Sequence, residues 1–469
     1  MIFTSIQFWA AFIAFLILFV LLRRTRREVM MLYVIAASLA FFYLSNRWLM
    51  LLLPATALIS WALTNWMSRQ DGSKRRALLF LIIVLDLLPL LFFKYAQPLS
   101  EVFQRMLTTN YSLASIALPI GISFYTFQAI SYSVDVYRRD FRLAVTFPEY
   151  LLYLSFFPLL LAGPITRADT FFPQIRRGHL TSERLLYKGL WLVILGITKK
   201  AIVADYLTQY NDWIFTMPDA YSGFECLMGL LGFSMQIYLD FSGYSDISIG
   251  IAAMLGIRLR ENFCFPYRSR NLTDFWHRWH ISLSTWLRDY IYIPLGGNRK
   301  GKFRTYLNNF LTMLIGGLWH GASWKFVFWG AMHGGGLIVH KMCRPWRKEI
   351  PDTWPVKAIS WLLTMTVVTL LWVFFRADSF ADAAAIVVNI FTTFDLAYAA
   401  PFFEVRYVWC IMMVLMILTH ALPTQWIEQM GEGFVGLPWL FKLVIFVLTV
   451  QLVLQFMSAD VTPFIYNQF

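Results

Sequence analysis

The sequence predicts an all-α polytopic membrane protein. Of its 469 residues, 58% are hydrophobic and 18% are aromatic, whereas only 14% are charged. Soluble globular domains carry roughly 25% charged residues, so this composition places the chain in the membrane class. Apolar runs of about 20 residues, the length that crosses a bilayer, recur along the chain and predict roughly 11–13 spanning or re-entrant elements.

The apolar runs define the candidate spans in order. They cover residues 6–22, 29–45, 47–66, 77–94, 186–204, 224–239, 306–319, 324–340, 357–375, 404–421 and 438–457, with less regular stretches at 112–134, 150–164 and 381–394. We expect one integral membrane domain over 1–469, with N-terminal hairpins at 1–100, a catalytic core at 101–345 and C-terminal helices at 346–469. The middle segment is the expected core because it is apolar overall yet rich in polar and small residues.

Basic loops set the expected orientation. The cluster Arg23 to Arg27 follows the first apolar run, which favours a retained span over a cleaved signal peptide. Because basic loops stay on the cytoplasmic side, we expect the N-terminus outside, and the loops at 69–76, 138–142 and 341–348 fit alternate crossings. The net charge of +13 is therefore assigned to orientation and membrane-lipid contact, and no nucleic-acid partner is expected.

Two polar segments interrupt the apolar core. The first runs from Gln236 to Ser248 and contains Asp240, Tyr244 and Asp246. Unpaired polar groups are not tolerated against lipid, so this segment must face protein or a water-filled cavity. Two interpretations stay open: hydrogen bonding between helices around a broken helix, and direct contact with substrate.

The second polar segment covers residues 266–292. Asn271 or Thr273 can cap a helix there. Helical spacing then places on one face Phe275, Trp279, Ser282 or Leu283, Trp286 and Tyr290. We expect an interfacial or re-entrant amphipathic helix that lines a cavity, with Asn271, Trp276, His277, Trp279 and Ser284 as chamber-lining candidates.

His320 is the principal catalytic candidate. It lies between Gly317 and Gly321 in apolar sequence, with Trp319 and Ser323 as further chamber-lining candidates. An ionisable side chain at membrane depth costs a few kcal/mol, and imidazole is suited to accept a proton near neutral pH. The alternative is a core histidine that is hydrogen-bonded to a carbonyl group.

The other histidines and the cysteines predict no metal site. His277 and His280 are three residues apart, whereas zinc catalysis usually uses i,i+4 spacing and a third ligand. Cys226, Cys264, Cys343 and Cys410 are too scattered for a zinc site or a disulfide framework. His280 is the candidate for a second catalytic residue that orients substrate or stabilises an oxyanion. Packing roles are assigned to His179, His333, His340 and His420.

The sequence contains no nucleophile motif such as G-x-S-x-G. This favours direct transfer, in which His320 removes a proton from an acceptor hydroxyl that attacks an activated acyl group. Two other classes are open: a transporter of an acyl or lipid carrier, although the internal repeats typical of transporters are not found, and a scaffold for a periplasmic transferase.

These segments resemble the membrane-bound O-acyltransferase family, in particular its bacterial alginate O-acetyltransferase-like branch. The most specific segments are Asp274-Phe-Trp-His-Arg-Trp-His280 and Gly317-Leu-Trp-His320-Gly. The resemblance covers most of 90–400, with further matching segments at 118–127, 157–166, 236–250, 316–336 and 371–378.

The resemblance implies a ring of helices around a central chamber, with catalytic positions at His320 and His280. It implies acetyl-CoA as a cytoplasmic donor, no permanently bound cofactor, and a place in the bacterial inner membrane. The implied acceptor is an extracellular polysaccharide such as alginate or cellulose, reached directly or through a periplasmic acetyl-relay or acetyltransferase partner; peptidoglycan and teichoic acid are alternatives. Six basic residues either attract a coenzyme A phosphate or belong to positive-inside loops: Arg258, Arg260, Arg268, Arg270, Lys300 and Lys302.

Overall fold

The computed structural model describes residues 3, 5–22, 25–107, 118–161, 163–177, 182–343, 345 and 350–456. Throughout these residues the regular structure is helical and contains no β-strand, so the all-α prediction is confirmed. Several predicted features lie outside the described residues: Arg23, Arg24, residues 112–117, His179 and most of the loop 344–348.

The chain divides into two compact units, residues 1–193 with 247–260 and residues 194–246 with 261–469. The expected single membrane domain stays a prediction. The helices that begin in the first unit are α1 (Ile6–Leu22), α2 (Arg27–Asn46), α3 (Leu52–Ser68), α4 (Gly72–Leu107), α5 (Ile122–Arg138), α6 (Phe147–Ser155), α7 (Phe157–Leu160), α8 (Ala168–Arg177) and α9 (Glu183–Ile197).

The second unit begins with the last turn of α9 and a π-helical turn, Thr198–Ala204. Its helices are α10 (Asp205–Thr216), α11 (Gly223–Met254), α12 (Leu272–Arg278), α13 (Ile281–Leu287), α14 (Gly301–His320), α15 (Trp324–Met342), α16 (Trp354–Arg376), α17 (Phe380–Thr392), α18 (Ala399–Val405), α19 (Tyr407–Ala421), α20 (Thr424–Gly436) and α21 (Trp439–Phe456). The C-terminal turns of α11 belong to the first unit.

This is a multi-pass membrane protein. Four described helical stretches are long and apolar enough to cross a bilayer: Arg27–Ser68, Gly72–Glu101, Trp354–Arg376 and Trp439–Phe456. The bent pairs Phe380–Thr392 with Leu396–Val405 and Tyr407–Ala421 with Thr424–Gly436 bring the number to six if each pair forms one span. Many large apolar side chains on these helices face outward, as expected where lipid is the solvent. The count of 11–13 elements and the ring arrangement stay predictions.

Glu149 holds three segments of the first unit together. Its carboxylate accepts hydrogen bonds from Arg27 (2.7 Å) and Arg176 (2.8 Å), and it closes a capping box with Thr146 at the start of α6. Burial raises the pKa of Glu149, but the hydrogen bonds from Arg176, Thr146 and Arg27 outweigh this effect and lower the pKa to about 2. The stability that this carboxylate contributes is therefore present above its unfolded pKa of about 4.3 and is lost as the pH falls towards 2.

The prediction of one helix from the cap at Asn271 or Thr273 to Tyr290 is wrong, because the helix is interrupted. The segment forms a 3-10 turn, Pro266–Arg268, then α12, α13 and a π-helical turn, Arg288–Tyr292. Asn271 caps α12, because its side chain accepts from the backbone N–H of Asp274 at 2.8 Å. The break falls at His280, whose φ of 42° is rare for a residue other than glycine. Periodicity does not reveal this break, because both short helices bury aromatic side chains.

A close backbone contact joins α14 to α15, which follows after only three residues. A Cβ atom added to Gly317 would lie 2.3 Å from the carbonyl oxygen of Phe326, and one added to Gly330 would lie 2.6 Å from that of Met313. Small residues permit such an approach of two helices. The contact fixes the end of α14, where His320 lies.

An alanine pair on α15 tests this contact. Gly330→Ala is expected to destabilise the protein by about 1–3 kcal/mol, because the new methyl group must displace a backbone carbonyl. Gly335→Ala is the matched control: its added Cβ meets open space, and alanine favours the helix by up to about 1 kcal/mol. Thermal unfolding of both variants in one detergent measures the difference, and equal melting temperatures would contradict the close approach.

Candidate active site

His320 lies in an aromatic enclosure. It is the last residue of α14 and is 4% exposed, so its predicted burial is confirmed. Four rings surround the imidazole, with centroids at 4.7 Å for Trp319, 5.0 Å for Phe375, 5.2 Å for Trp329 and 6.2 Å for Phe326. These rings exclude water from the side chain and fix its position, two conditions that proton transfer in an active site requires.

His280 lies close to the same tryptophan as His320. The ring of Trp319 is 4.7 Å from His320 and 6.3 Å from His280, so the structure brings the two predicted catalytic histidines into one neighbourhood. The buried His280 ring also packs edge-on against Phe241 at 4.6 Å. Because His280 lies between α12 and α13, its position depends on the loop rather than on a helical face.

Asn262 holds the His280 ring in a defined tautomer. The Asn262 Oδ1 atom is 3.1 Å from Nδ1 of His280 and also accepts from the backbone N–H (3.2 Å) and the hydroxyl (2.9 Å) of Ser282. The amide nitrogen of Asn262 donates to Ser245 at 3.2 Å. The amide oxygen of Asn262 can only accept, so this pattern assigns the proton of the neutral His280 ring to Nδ1 and the lone pair to Nε2.

The carboxylates of α11 are paired with the π-helical turn. Lys200 is 2% exposed and contacts both Asp205, at 2.7 Å, and Asp240; Lys199 contacts Asp246 at 2.6 Å. The fully buried Tyr244 ring lies 5.6 Å from the Lys200 ammonium group. These contacts support bonding between helices, the first of the two interpretations of this segment, and substrate contact by Asp240, Tyr244 or Asp246 stays a prediction.

A cavity of about 320 Å³ lies among α12 to α15. Trp276, His277 and Ser284, all predicted to line the chamber, form part of its wall. The sequence does not predict the other residues of the wall to line a cavity; they are Thr273, Ile281, Thr285, Leu287, Arg288, Tyr292, Asn309, Thr312, Met313, Leu337 and Lys341.

The cavity wall contains a polar cluster with two cations. The Lys341 ammonium group donates to Asn309 at 2.9 Å and lies 5.6 Å from the centre of the Tyr292 ring. Arg288, the second cation, is 60% exposed at its side chain and contacts Asp289 at 2.8 Å. Basic side chains around a cavity favour an anionic ligand. One residue of this cluster, Lys341, is visible in the sequence as a lysine that follows the apolar run 324–340, but the charge pattern there predicts only a cytoplasmic loop.

Two tryptophans connect the cavity with His320. Trp276 lines the cavity, its ring is 5.7 Å from that of Trp329, and the Trp329 ring is 5.2 Å from His320. Met313, another lining residue, precedes His320 by seven residues on α14, about 10 Å along the helix axis. His320 therefore lies one aromatic layer beyond the cavity.

The remaining predicted residues occupy capping, packing or surface positions. Asn271 caps α12, the buried Trp279 packs 4.9 Å from Trp372, and Ser323 is exposed at the start of α15. Their chamber-lining roles stay predictions. Arg268 donates to the carbonyl oxygens of His420 and Leu422, which leaves this basic residue poorly placed for a phosphate group. In the described part of the chain, no group of three or more metal-ligating side chains is placed to hold an ion.

Comparison with known proteins decides the family. The model of the MBOAT, or membrane-bound O-acyltransferase, family matches residues 35–377. This chain belongs to that family. It is also 36% identical over 415 residues to a Pseudomonas putida protein named "Probable alginate O-acetylase", covering 83% of this chain and 84% of the relative.

Two further relatives broaden the comparison. The chain is 34% identical over 379 residues to a peptidoglycan O-acetyltransferase of Helicobacter pylori, covering 75% of this chain and 72% of the relative. It is 31% identical over 244 residues to a teichoic acid D-alanyltransferase of Bacillus subtilis, covering 49% of this chain and 60% of the relative. The predicted resemblance is confirmed, and the protein is a membrane O-acyltransferase.

Removal of the Asn262 side chain tests whether the orientation of His280 matters. Asn262→Ala is expected to slow acyl transfer at least tenfold and to cost about 1–3 kcal/mol of stability, because buried partners lose their hydrogen bonds. Ser282→Ala is the control, since it removes only one hydrogen bond to Asn262 and leaves the contact with His280. Activity and thermal unfolding are measured together; an Asn262→Ala protein with wild-type activity would contradict a role for the oriented ring.

Proposed function

We propose that this protein transfers acetyl groups from cytoplasmic acetyl-CoA to hydroxyl groups of an extracellular polysaccharide, with His320 as the general base. The observation that supports this most directly is the enclosed His320 ring, one aromatic layer from a cavity that carries Lys341 and Arg288. The proposed location is the bacterial inner membrane.

The cavity suits the donor. Its volume of about 320 Å³ falls in the range of roughly 300–1,000 Å³ that is typical of ligand pockets. The narrow acyl-pantetheine arm of acetyl-CoA occupies it, and the anionic phosphates remain near Lys341 and Arg288. Lys341 lies in the last turn of α15, next to basic residues that the positive-inside rule assigns to the cytoplasm, which is the side where acetyl-CoA is available.

The hairpin of α14 and α15 favours transfer towards the opposite side. The 20 residues of α14 extend about 30 Å along the helix axis. The helix begins beside the basic segment 299–304 and ends at His320, so His320 lies far from the cytoplasmic end. An acceptor that arrives from outside the cell can therefore meet an acetyl group that enters from within.

The reaction needs no covalent enzyme intermediate. The acceptor hydroxyl attacks the thioester carbonyl carbon while His320 takes its proton; the tetrahedral intermediate then releases the thiolate of coenzyme A, which takes that proton back. Base catalysis contributes about 10²–10⁴ in rate, so positioning and oxyanion stabilisation supply the rest. The assigned tautomer makes His280 Nε2 an acceptor atom, so we propose that His280 orients the acceptor hydroxyl rather than stabilising the oxyanion.

The relatives support a polymer as the acceptor. The long match to the protein named an alginate O-acetylase supports alginate. Cellulose is the other exopolysaccharide that we propose as an acceptor. The matches to enzymes named for peptidoglycan and teichoic acid make cell-wall polymers the alternative. A periplasmic relay or acetyltransferase partner carries the acetyl group to the polymer if transfer is not direct. The relatives are named as acyl-transferring enzymes. They therefore give no support to the two alternatives, a transporter and a scaffold for a periplasmic transferase.

Substitution of His320 tests the proposed base. His320→Ala and His320→Gln are both expected to lose at least 10²-fold in acetyl transfer, because neither alanine nor an amide takes the proton. The measurements are polymer acetylation in cells and membrane-inserted protein level by immunoblot. Near-normal acetylation by His320→Gln at normal protein levels would reduce His320 to a hydrogen-bonding or packing residue.

Substitution of Lys341 tests the donor site. Lys341→Gln is expected to raise the KM for acetyl-CoA about 10- to 100-fold with a smaller effect on kcat, since one charged contact worth roughly 1.5–3 kcal/mol is lost. Lys357→Gln is the matched control, because the Lys357 side chain is 42% exposed, pairs with Asp352 at 3.1 Å and does not line the cavity. Equal KM values for the two variants would place the donor elsewhere.

A further inference from the structure

His333 is a buried histidine on α15 for which the reaction proposed above has no use. It is fully buried, and three rings surround it, with centroids at 4.7 Å for Trp329, 5.1 Å for Trp276 and 6.4 Å for Phe275. Neither Nδ1 nor Nε2 has a hydrogen-bond partner among the described residues. A buried polar group without a partner costs about 1–3 kcal/mol of stability, so a histidine that only packs is unfavourable at this position.

Three neighbouring polar groups share this condition. The indole nitrogens of Trp276 and Trp329 and the hydroxyl of Thr273 are also buried without a hydrogen-bond partner in the described structure. More than 90% of buried polar groups in proteins are hydrogen-bonded, so such a cluster calls for an explanation. Thr273 and Trp276 line the 320 Å³ cavity, as does Leu337, one turn beyond His333. Two of the four unpartnered groups, those of Thr273 and Trp276, therefore belong to the cavity wall, and the rings of His333 and Trp329 pack against Trp276 behind it.

The cluster also lies beside the proposed base. The Trp329 ring is 4.7 Å from His333 and 5.2 Å from His320, so the two imidazole centres are no more than about 10 Å apart. His333 and His320 lie on the two helices that the Gly317 and Gly330 contact holds together. The Trp329 ring thus packs against both imidazoles and against Trp276 of the cavity wall.

We propose that His333 and the indole N–H groups of Trp276 and Trp329 bind the thioester carbonyl of the acyl donor. An indole nitrogen only donates, and a neutral imidazole donates from one nitrogen, so the cluster offers three donors to an oxygen that only accepts. As the acceptor oxygen attacks the carbonyl carbon, negative charge grows on the carbonyl oxygen, and donors in a dry site stabilise it strongly. His333 is thus a catalytic residue of the acyl transfer; this inference rests on the proposed function.

His333→Phe distinguishes this role from packing. Phenylalanine keeps the approximate ring shape and removes two unpartnered nitrogens, so the melting temperature is expected to stay the same or rise. The kcat is nevertheless expected to fall about 10²- to 10³-fold, the loss typical of an oxyanion donor. His333→Gln retains an N–H donor, so its kcat is expected to be at least tenfold higher than that of His333→Phe. His420→Phe, which replaces a histidine of the same unit that does not line the cavity, is the control with unchanged kcat.

Donor binding gives a second readout that is independent of turnover. A ketone analogue of acetyl-CoA, in which a methylene group replaces the thioester sulfur, is expected to bind His333→Phe at least fivefold more weakly than wild type by calorimetry in detergent. Trp329→Phe keeps a ring and removes one donor, so it tests the cluster if His333→Phe does not fold; its kcat is expected to fall about tenfold.

Three results overturn the proposal: a folded His333→Phe protein with wild-type kcat, unchanged analogue binding, or, if His333→Phe does not fold, a Trp329→Phe protein with wild-type kcat. In each case the proposed function would still stand, provided that the wild-type protein transfers acetyl groups from acetyl-CoA. If the wild-type protein itself transfers no acetyl group from acetyl-CoA, the proposed function fails and this inference fails with it.

Discussion

The site depends on the backbone contact between α14 and α15. Only glycine fits at Gly317 and Gly330, where each added Cβ atom would lie less than 3 Å from a carbonyl oxygen of the facing helix. This separation brings the end of α14 against α15, so that His320 and His333 both contact the Trp329 ring. A wider spacing of the helices would open the aromatic enclosure, admit water or lipid, and remove the restraint on the imidazole of His320.

Polar groups of the second unit fall into two sets. One set is satisfied internally: the Lys199 and Lys200 ion pairs with carboxylates of α11, and the hydrogen bonds that converge on Asn262. Removing one partner of such a buried group is costly, which explains why they form complete pairs. The other set has no hydrogen-bond partner within the described residues and includes Trp276, which lines the cavity, and His333, whose ring packs against Trp276. This contrast separates residues that hold the helices from those available to a ligand.

Helices and the buried His320 were predictable from the sequence because both depend on local pattern: apolar length for the spans, and an ionisable residue between glycines for the site. The break at His280 was not, because buried aromatic residues continue the helical spacing through it. Neither the pairing of Asp246 with Lys199 nor the grouping of Arg288, Asn309 and Lys341 around one cavity was predictable. These contacts join residues far apart in the chain, and the periodicity of apolar residues does not predict such contacts.

In the proposed reaction, the acyl donor reaches His320 through the cavity of α12 to α15. The most direct measurement is a cryo-electron microscopy structure of the wild-type protein in a lipid nanodisc with the ketone analogue of acetyl-CoA. We expect the analogue's pantetheine arm to occupy the cavity beside Lys341. Its carbonyl group is expected near the Trp276 and Trp329 rings, facing His320. An analogue bound elsewhere, with His320 still sealed behind closed aromatic side chains, would contradict it.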